Sequence, residues 1–240
     1  MAEFTERLRL EPVGPAYADD LWLVHADDKV WPWYGDEKPS REQVVQWAGS
    51  MGESWRSHGA GKWIAYDRTS REVVGRGGLG RTPVDDDWGR VYEFLPDESW
   101  VRVAHDNQHP SAVHANWAEL GWALRHDYWG CGYAAEIGRA GLAYAFDVLG
   151  MEAVVSCTDL PNVRSRAVME RLGMRYAGEL WSEEFEGALG KPPLTVCVLL
   201  RSDWERSTAC YRHSQRRASG SRTPPWFGLW PPSPSTRRKS

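Results

Sequence analysis

The sequence of 240 residues predicts an α/β protein with a mixed sheet, and three observations support this prediction. Segments rich in β-branched residues are interspersed with segments that repeat apolar residues at helical spacing. Hydrophobic residues make up 42% of the chain and charged residues 26%, which is ordinary for a globular protein. The segments do not follow the regular strand–helix alternation of a doubly wound parallel fold.

The N-terminal part of the chain predicts a strand, two helices and a β-hairpin. A strand is expected over residues 5–13, where apolar and polar side chains alternate, and a helix led in by Pro15 follows. A second helix begins at Ser40, because a serine with Gln43 three residues later is a capping-box pattern. The segments GKWIAYDR and EVVGRGGLGRT then predict two strands joined by a short turn.

A long irregular region, residues 83–116, separates the hairpin from the next strand. We expect a strand near residues 91–95 and an extended loop after it. The three histidines of this loop and the four cysteines of the chain lack the close spacing of a metal site, so no metal is predicted. These histidines are His105, His109 and His114.

The C-terminal part predicts alternating strands and helices, two closing strands and a tail. Residues 117–125 predict a strand, and AAEIGRAGLAYAFDVLG predicts a helix ending at Gly150. EAVVSC predicts a strand, PNVRSRAVMERLGM a second helix, and MRYAGEL and LTVCVLLR the closing strands. Residues 205–240 have five prolines and no hydrophobic period, so we expect one domain over residues 1–204 and a disordered tail.

The net charge of −4 is unevenly distributed along the chain. From Glu205 onward eight Lys or Arg residues face one acid, a net charge of +7, which leaves −11 for the remainder. An acidic body does not suggest nucleic-acid binding and favours a cationic or amine partner. The charged N-terminus and the lack of long apolar stretches predict no membrane partner, and scattered cysteines fit a cytoplasmic location.

The stretch HDYWGCGYAAEIGRAG, residues 126–141, places a glycine-rich loop between a predicted strand and a predicted helix. Such a loop offers unpaired N–H groups at a helix N-terminus, and small residues at Gly130, Gly132 and Ala134 allow a phosphate to approach. A Walker A loop is excluded because the loop contains no lysine. The stretch formally matches GxGxxA, the dinucleotide-binding fingerprint. That pattern follows its strand closely, whereas residues 126–129 intervene here, and the acidic residue expected at the end of the next strand is missing.

Three motifs together resemble the GNAT superfamily of N-acetyltransferases, specifically its RimJ/RimL-type branch. They are the strand ELGWALR, the loop WGCGYA in the pattern (Q/R)xxGx(G/A), and the helix NVRSRAVMERLGM that begins at Asn162. The resemblance implies a GNAT-like, mostly antiparallel central sheet with flanking helices and a V-shaped splay between two central strands. It extends over nearly all of residues 1–204.

The resemblance implies acetyl-CoA as co-substrate, with its pyrophosphate on the glycine loop and its pantetheine arm along the strand before the loop. Trp129 stands where the superfamily usually has Gln or Arg and where this branch commonly has an aromatic residue. Cys131 stands at a position that is often basic in relatives, so one charge-assisted contact with the pyrophosphate is missing. The cofactor-binding residues implied in this way are Trp122, Ala123, Leu124, Trp129, Gly130, Cys131, Gly132, Tyr133, Ala134 and Asn162.

Acetyl transfer to an amine needs a proton acceptor, because an amine such as lysine has a pKa near ~10.4. The resemblance points to Glu119 as this base; the alternative is a solvent-facing strand glutamate. The tyrosine acid of many relatives is replaced by Met169, so Ser165 is the candidate donor to the CoA sulfur, or else an ordinary first-turn serine. Asn162 caps its helix, contacts pantetheine, or does both.

The acceptor site is predicted in the segment VWPWYGDE, which covers the acceptor pocket in relatives. Trp31, Trp33 and Tyr34 are expected to wall it, with the alternative that these rings only pack the loop on the core. The function predicted is direct acetyl transfer, in a ternary complex, from acetyl-CoA to a protein N-terminus or a small amine. A non-catalytic CoA-binding protein is the alternative, and a homodimer is left open.

Overall fold

The computed structural model describes residues 2–80, 93–96, 116–180 and 193–218, with side chains up to residue 209. The chain divides into two units, Met1–Trp204 and Glu205–Ser240. The fold and the site described below belong to the first unit.

One sheet of eight strands forms the centre of the first unit, in the order β1-β2-β3-β4-β5-β6-β8-β7. All neighbouring strands are antiparallel except β5 and β6, which are parallel. The strands are β1 (Glu3–Phe4), β2 (Leu8–Pro12), β3 (Lys62–Asp67), β4 (Val73–Gly80), β5 (Trp117–Leu124), β6 (Ala153–Asp159), β7 (Arg175–Leu180) and β8 (Leu194–Leu200).

Helices cover both faces of this sheet. They are α1 (Ala18–His25), α2 (Arg41–His58), α3 (Tyr133–Ala143) and α4 (Val163–Arg171). A fifth helix, α5 (Arg201–Ala218), begins at the end of the first unit and continues into the second. On one face, Leu21 of α1 and Val44 of α2 pack with Ile64 of β3. On the other face, Leu142 of α3 packs with Leu120 of β5. The central strands β4 and β8 therefore alternate between two buried layers, which explains why almost all of their residues are buried.

The two central strands diverge after a short parallel contact. Residues 117–119 of β5 pair with residues 153–155 of β6, and no further pair forms between the two strands. Beyond that point β6 remains paired with β8 as far as Asp159, whereas β5 stays with β4. The predicted mixed, mostly antiparallel sheet with a V-shaped splay is confirmed.

Local signals set the ends of α2 as the sequence predicts. The Ser40 side chain accepts the Gln43 N–H, and the Gln43 side chain accepts the Ser40 N–H, so the capping box is complete. Gly59 ends the helix in the left-handed conformation, with φ of 64°. The strand expected over residues 5–13 is shorter, because Thr5 bonds Leu8 in a turn that separates β1 from β2.

The expectations for the region of residues 83–116 and for the C-terminal tail are only partly within the described residues, and two of them are corrected. Of the strand expected near residues 91–95, residues 91–92 lie outside the described residues, and Glu93 and Phe94 form a 3-10 turn instead. The loop histidines also lie outside the described residues. The expectation of a tail disordered from Glu205 is wrong at its start, since α5 extends to Ala218. The prolines, which would interrupt a helix, begin only at Pro224.

Candidate active site

The open edge of β5 in the splay is the centre of the candidate site. Arg125 follows β5 and donates its N–H to the Val74 carbonyl of β4 at 3.0 Å. Because backbone groups alternate in direction along a strand, Ala123 also faces β4, whereas Trp122 and Leu124 direct their backbone groups towards β6, where no strand pairs with them. This corrects the expectation for Ala123, whose side chain packs under α1 and α2.

Two aromatic side chains bond to the carbonyls of this edge. The Tyr34 hydroxyl donates to the Trp122 carbonyl at 2.8 Å, and the Trp129 indole N–H donates to the Leu124 carbonyl at 2.8 Å. The N–H groups of Trp122 and Leu124 are left to face the splay. The edge therefore suits an extended ligand that offers carbonyl oxygens.

The glycine turn lies between β5 and α3. Gly130 and Gly132 both have positive φ, 77° and 83°, and Gly132 is the N-cap of α3 with no side-chain cap. A Cβ at Gly130 would meet nothing within 4 Å, so the turn opens to solvent. The Tyr133 hydroxyl donates to Asp67 at 2.6 Å, which raises its pKa to about 12. The turn thus presents backbone N–H groups at a helix N-terminus, the arrangement that binds phosphates.

Arg7 braces this turn from β2's side of the sheet. Its Nη1 donates to the Cys131 carbonyl at 2.9 Å, and its Nη2 forms an ion pair with Glu136 of α3 at 2.7 Å. Its guanidinium also lies 4.3 Å from the centroid of the Tyr133 ring. The charge of Arg7 is therefore balanced by Glu136, while the Cys131 side chain is exposed.

The first turn of α4 lies on the opposite side of the splay. The Asn162 side chain caps the helix by accepting the Ser165 N–H at 3.1 Å. Met169 is 1% exposed and packs in the core, so it offers nothing to the splay. Arg164 places its guanidinium carbon 5.1 Å from the centroid of the Trp129 ring.

Glu119 lies where the splay begins, and a lysine that sequence reasoning missed is bound to it. Lys62 Nζ of β3 contacts Glu119 Oε2 at 2.7 Å and the Gly78 carbonyl at 3.0 Å. The two side chains are only 13% and 20% exposed. Burial lowers the pKa of the Lys62 ammonium, although Glu119 opposes this effect. The contact depends on β3, β4 and β5 being neighbours in register, so no local sequence signal reveals it.

Comparison with known proteins decides the family. Residues 7–175 match the family model described as the acetyltransferase (GNAT) domain. The chain belongs to the GNAT acetyltransferase family. It is therefore an acyltransferase, and GNAT enzymes use acetyl-CoA as co-substrate.

Relatives of this GNAT chain agree with the assignment. It is 25% identical over 238 residues to the FsC-acetyl coenzyme A-N(2)-transacetylase of Aspergillus fumigatus, covering 95% of this chain and 86% of that protein. An acetyltransferase structure from Bacillus anthracis has a TM-score of 0.59 at 16% identity, covering 84% of this chain and 99% of its own. The ribosomal-protein-S5-alanine acetyltransferase structure of Vibrio fischeri has a TM-score of 0.62 at 12% identity, covering 85% and 98%.

The Cys157 thiol of this GNAT domain is unsuited to carrying the acetyl group. Cys157 of β6 lies near Glu119, and burial followed by this charge raises the pKa of the thiol well above its ordinary value. A protonated, buried thiol is a poor nucleophile. Among the described residues, no cluster of three or more His, Cys, Asp or Glu side chains is arranged to hold a metal, and no helix is long and apolar enough to cross a membrane.

A buried cluster lies beneath Tyr34, one of the predicted acceptor residues. His25 is 3% exposed and accepts a hydrogen bond from Arg76 Nε at 3.2 Å. The Arg76 guanidinium carbon lies 5.1 Å from the Tyr34 ring centroid, and the His25 ring meets Tyr34 edge-on at 5.0 Å. Of the three predicted acceptor residues, Tyr34 thus contacts both this cluster and β5; Trp31 and Trp33 form the 3-10 turn before it.

Proposed function

We propose that this chain is an N-acetyltransferase of the RimJ/RimL-type branch, which transfers acetyl from acetyl-CoA to a primary amine by direct attack in a ternary complex. One observation carries the proposal: the open edge of β5 leads directly to an uncapped helix N-terminus with two positive-φ glycines. That combination suits a ligand with an extended amide-bearing arm and a phosphate end.

The roles proposed for the cofactor side follow this geometry. Backbone N–H groups of residues 130–134 bind the pyrophosphate, and those of Trp122 and Leu124 bind pantetheine carbonyls. Asn162 holds the first turn of α4 against the arm, and Ser165 donates a hydrogen bond to the sulfur. When bound, acetyl-CoA supplies the acetyl group as a thioester.

The proposed chemistry places proton acceptance on Glu119. The substrate amine loses its proton to this carboxylate, directly or through a water, and attacks the thioester carbon as the carbon–sulfur bond breaks. Lys62 holds Oε2, which leaves Oε1 for the amine or the water. As the carbon–sulfur bond breaks, the attacking nitrogen loses its surplus proton, which passes through water to the departing thiolate, and Ser165 stabilises the thiolate charge meanwhile.

The acceptor proposed is a protein N-terminus or a small amine, bound against Tyr34 with Trp31 and Trp33 beside it. The names of two similar proteins guide the choice of substrates, since one specifies a ribosomal-protein alanine and the other an N(2) position. A cytoplasmic location, a homodimer and the absence of nucleic-acid and membrane partners remain predictions.

Thiol release from acetyl-CoA across an amine panel tests the proposal. The panel holds a peptide that begins with alanine, polyamines, aminoglycosides and lysine derivatives. We expect amine-dependent thiol release for at least one class, with one acetylated amine formed per thiol. Tight CoA binding without turnover on any amine would favour the alternative, a CoA-binding regulatory protein. Two features support that alternative: Met169 replaces the tyrosine acid, and Cys131 replaces a basic residue of the loop.

A further inference from the structure

One contact crosses the mouth of the splay. Trp129 extends from the β5 side, at the start of the glycine turn, and Arg164 extends from the first turn of α4, which follows β6. The guanidinium carbon of Arg164 lies 5.1 Å from the centroid of the Trp129 ring. A ligand that runs from the turn into the splay therefore passes beside Arg164.

The arginines near the two sides of the splay differ in whether another group already binds the guanidinium. Arg7 is paired with Glu136 at 2.7 Å, and Arg166 donates to the Leu160 carbonyl at 2.9 Å. Arg125 donates to the Val73 carbonyl at 3.0 Å. Arg164 is exposed and forms no ion pair or hydrogen bond with any residue that the structure describes.

The turn itself supplies backbone dipoles but no full positive charge. Trp129, Cys131 and Tyr133 carry the side chains of the turn, and none of the three is a lysine or an arginine. A pyrophosphate bound there would carry negative charge that the backbone alone meets only partly. A guanidinium that stacks on an aromatic ring still has N–H groups that point outward past the edge of the ring, and these can bind a phosphate oxygen.

We infer that Arg164 binds the pyrophosphate of CoA, with Trp129 as the platform that holds the guanidinium at the mouth of the splay. This inference rests on the proposed function. It also accounts for an aromatic residue at position 129, because the cation comes from α4 and needs a flat partner on the loop.

Binding of three ligands to the full chain and to Arg164→Gln tests the inference. Titration calorimetry uses CoA, 3′-dephospho-CoA, which keeps the pyrophosphate, and pantetheine, which lacks it. Losing a charge-assisted contact is worth on the order of 1.5–3 kcal/mol, so we expect CoA and dephospho-CoA to bind about 10- to 100-fold more weakly. Pantetheine affinity is expected to stay unchanged.

Arg171→Gln is the matched control, because it removes the same charge from the exposed last turn of α4. It should bind all three ligands like wild type. Adding Cys131→Arg to Arg164→Gln should recover CoA affinity, since it places a cation on the turn itself. Circular dichroism and the melting temperature verify that each variant is folded.

Three results would overturn the inference. These are unchanged CoA affinity in folded Arg164→Gln, a loss confined to CoA that spares dephospho-CoA, and an equal loss for pantetheine. A wild-type chain that binds no CoA would instead overturn the proposed function as well. The wild-type titration thus separates the two failures.

Discussion

The conformation of Gly132 makes it the most sensitive residue of the turn. Its φ of 83° is a left-handed conformation that costs other residues about 1–2 kcal/mol. We predict that Gly132→Asp weakens CoA binding severely, because the new carboxylate meets the phosphate as well as straining the backbone. Calorimetric titration with CoA measures the effect.

Gly173→Ala is the control for backbone strain in that experiment. Gly173 has φ of 79° and lies at the far end of α4, where an added Cβ would meet nothing within 4 Å. It should lower the melting temperature by an amount similar to Gly132→Ala and leave CoA affinity intact. Equal CoA affinities for Gly132→Asp and Gly173→Ala would refute the loop assignment.

Because Glu119 forms an ion pair with Lys62, a substitution of Glu119 affects both the rate of acetyl transfer and the stability of the fold. We predict that Glu119→Gln slows acetyl transfer at neutral pH and leaves CoA affinity intact, because the role proposed for Glu119 concerns the amine and not the cofactor. It also strands the Lys62 ammonium in a nearly dry site, so stability should fall by about 1–3 kcal/mol. Denaturant unfolding and pH–rate profiles measure the two effects separately.

The double variant Lys62→Met/Glu119→Gln separates catalysis from folding. It leaves neither charge buried alone, so its stability should recover relative to Glu119→Gln, while its rate at neutral pH should stay low. If the double variant recovers both stability and rate, Glu119 acts only as the partner of Lys62. A wild-type pH–rate profile in folded Glu119→Gln would lead to the same conclusion.

The Tyr34 hydroxyl links the segment between α1 and α2 to β5, so its removal is informative. Tyr34→Phe deletes the hydroxyl that donates to the Trp122 carbonyl and keeps the ring against His25 and Arg76. We predict a several-fold rise in KM for the amine, little change in CoA affinity, and a stability loss of about 0.5–1.5 kcal/mol. Lower CoA affinity with an unchanged amine KM would show that Tyr34 serves the cofactor side instead.

Helix α2 shows how local energetics can be checked independently of function. Ser40→Ala removes the half of the capping box in which the Ser40 hydroxyl accepts the Gln43 N–H, and should cost about 1 kcal/mol of unfolding free energy. Ser50→Ala, at an exposed position inside the same helix, should be neutral or slightly stabilising. Equal destabilisation by the two substitutions would mean that the cap contributes nothing beyond helix propensity.

The parts of the fold that the sequence predicts are those set by nearby residues. The cap at Ser40 and the order of strands and helices over residues 117–200 follow from short patterns. The site depends instead on residues far apart in the chain, such as Lys62 with Glu119. Such pairs form only once strand order and register are set, so the sequence shows the residues but not their pairing.

The acid stability of the folded chain depends on a histidine that the acceptor-side elements enclose. His25 of α1 is surrounded by Tyr34, Trp47 and the Arg76 guanidinium, and its Nε2 accepts from Arg76. Burial, reinforced by Arg76, lowers the pKa of His25 from 6.5 to about 3. The folded chain therefore keeps this imidazole neutral through the mildly acidic range.

We predict that His25 makes the chain lose stability as the pH falls below about 6.5. Between that pH and about 3 the unfolded state binds up to one more proton than the folded state. The stability associated with neutral His25 is therefore fully present above pH 6.5 and declines below it by up to about 1.4 kcal/mol per pH unit. His25→Gln keeps an acceptor for Arg76 and does not titrate. Denaturant unfolding between about pH 7.5 and 5 should therefore show a flatter pH dependence for His25→Gln than for wild type, whereas exposed His58→Gln should retain the wild-type slope or nearly so. Parallel curves for wild type and His25→Gln would mean that His25 takes up its proton without unfolding the chain.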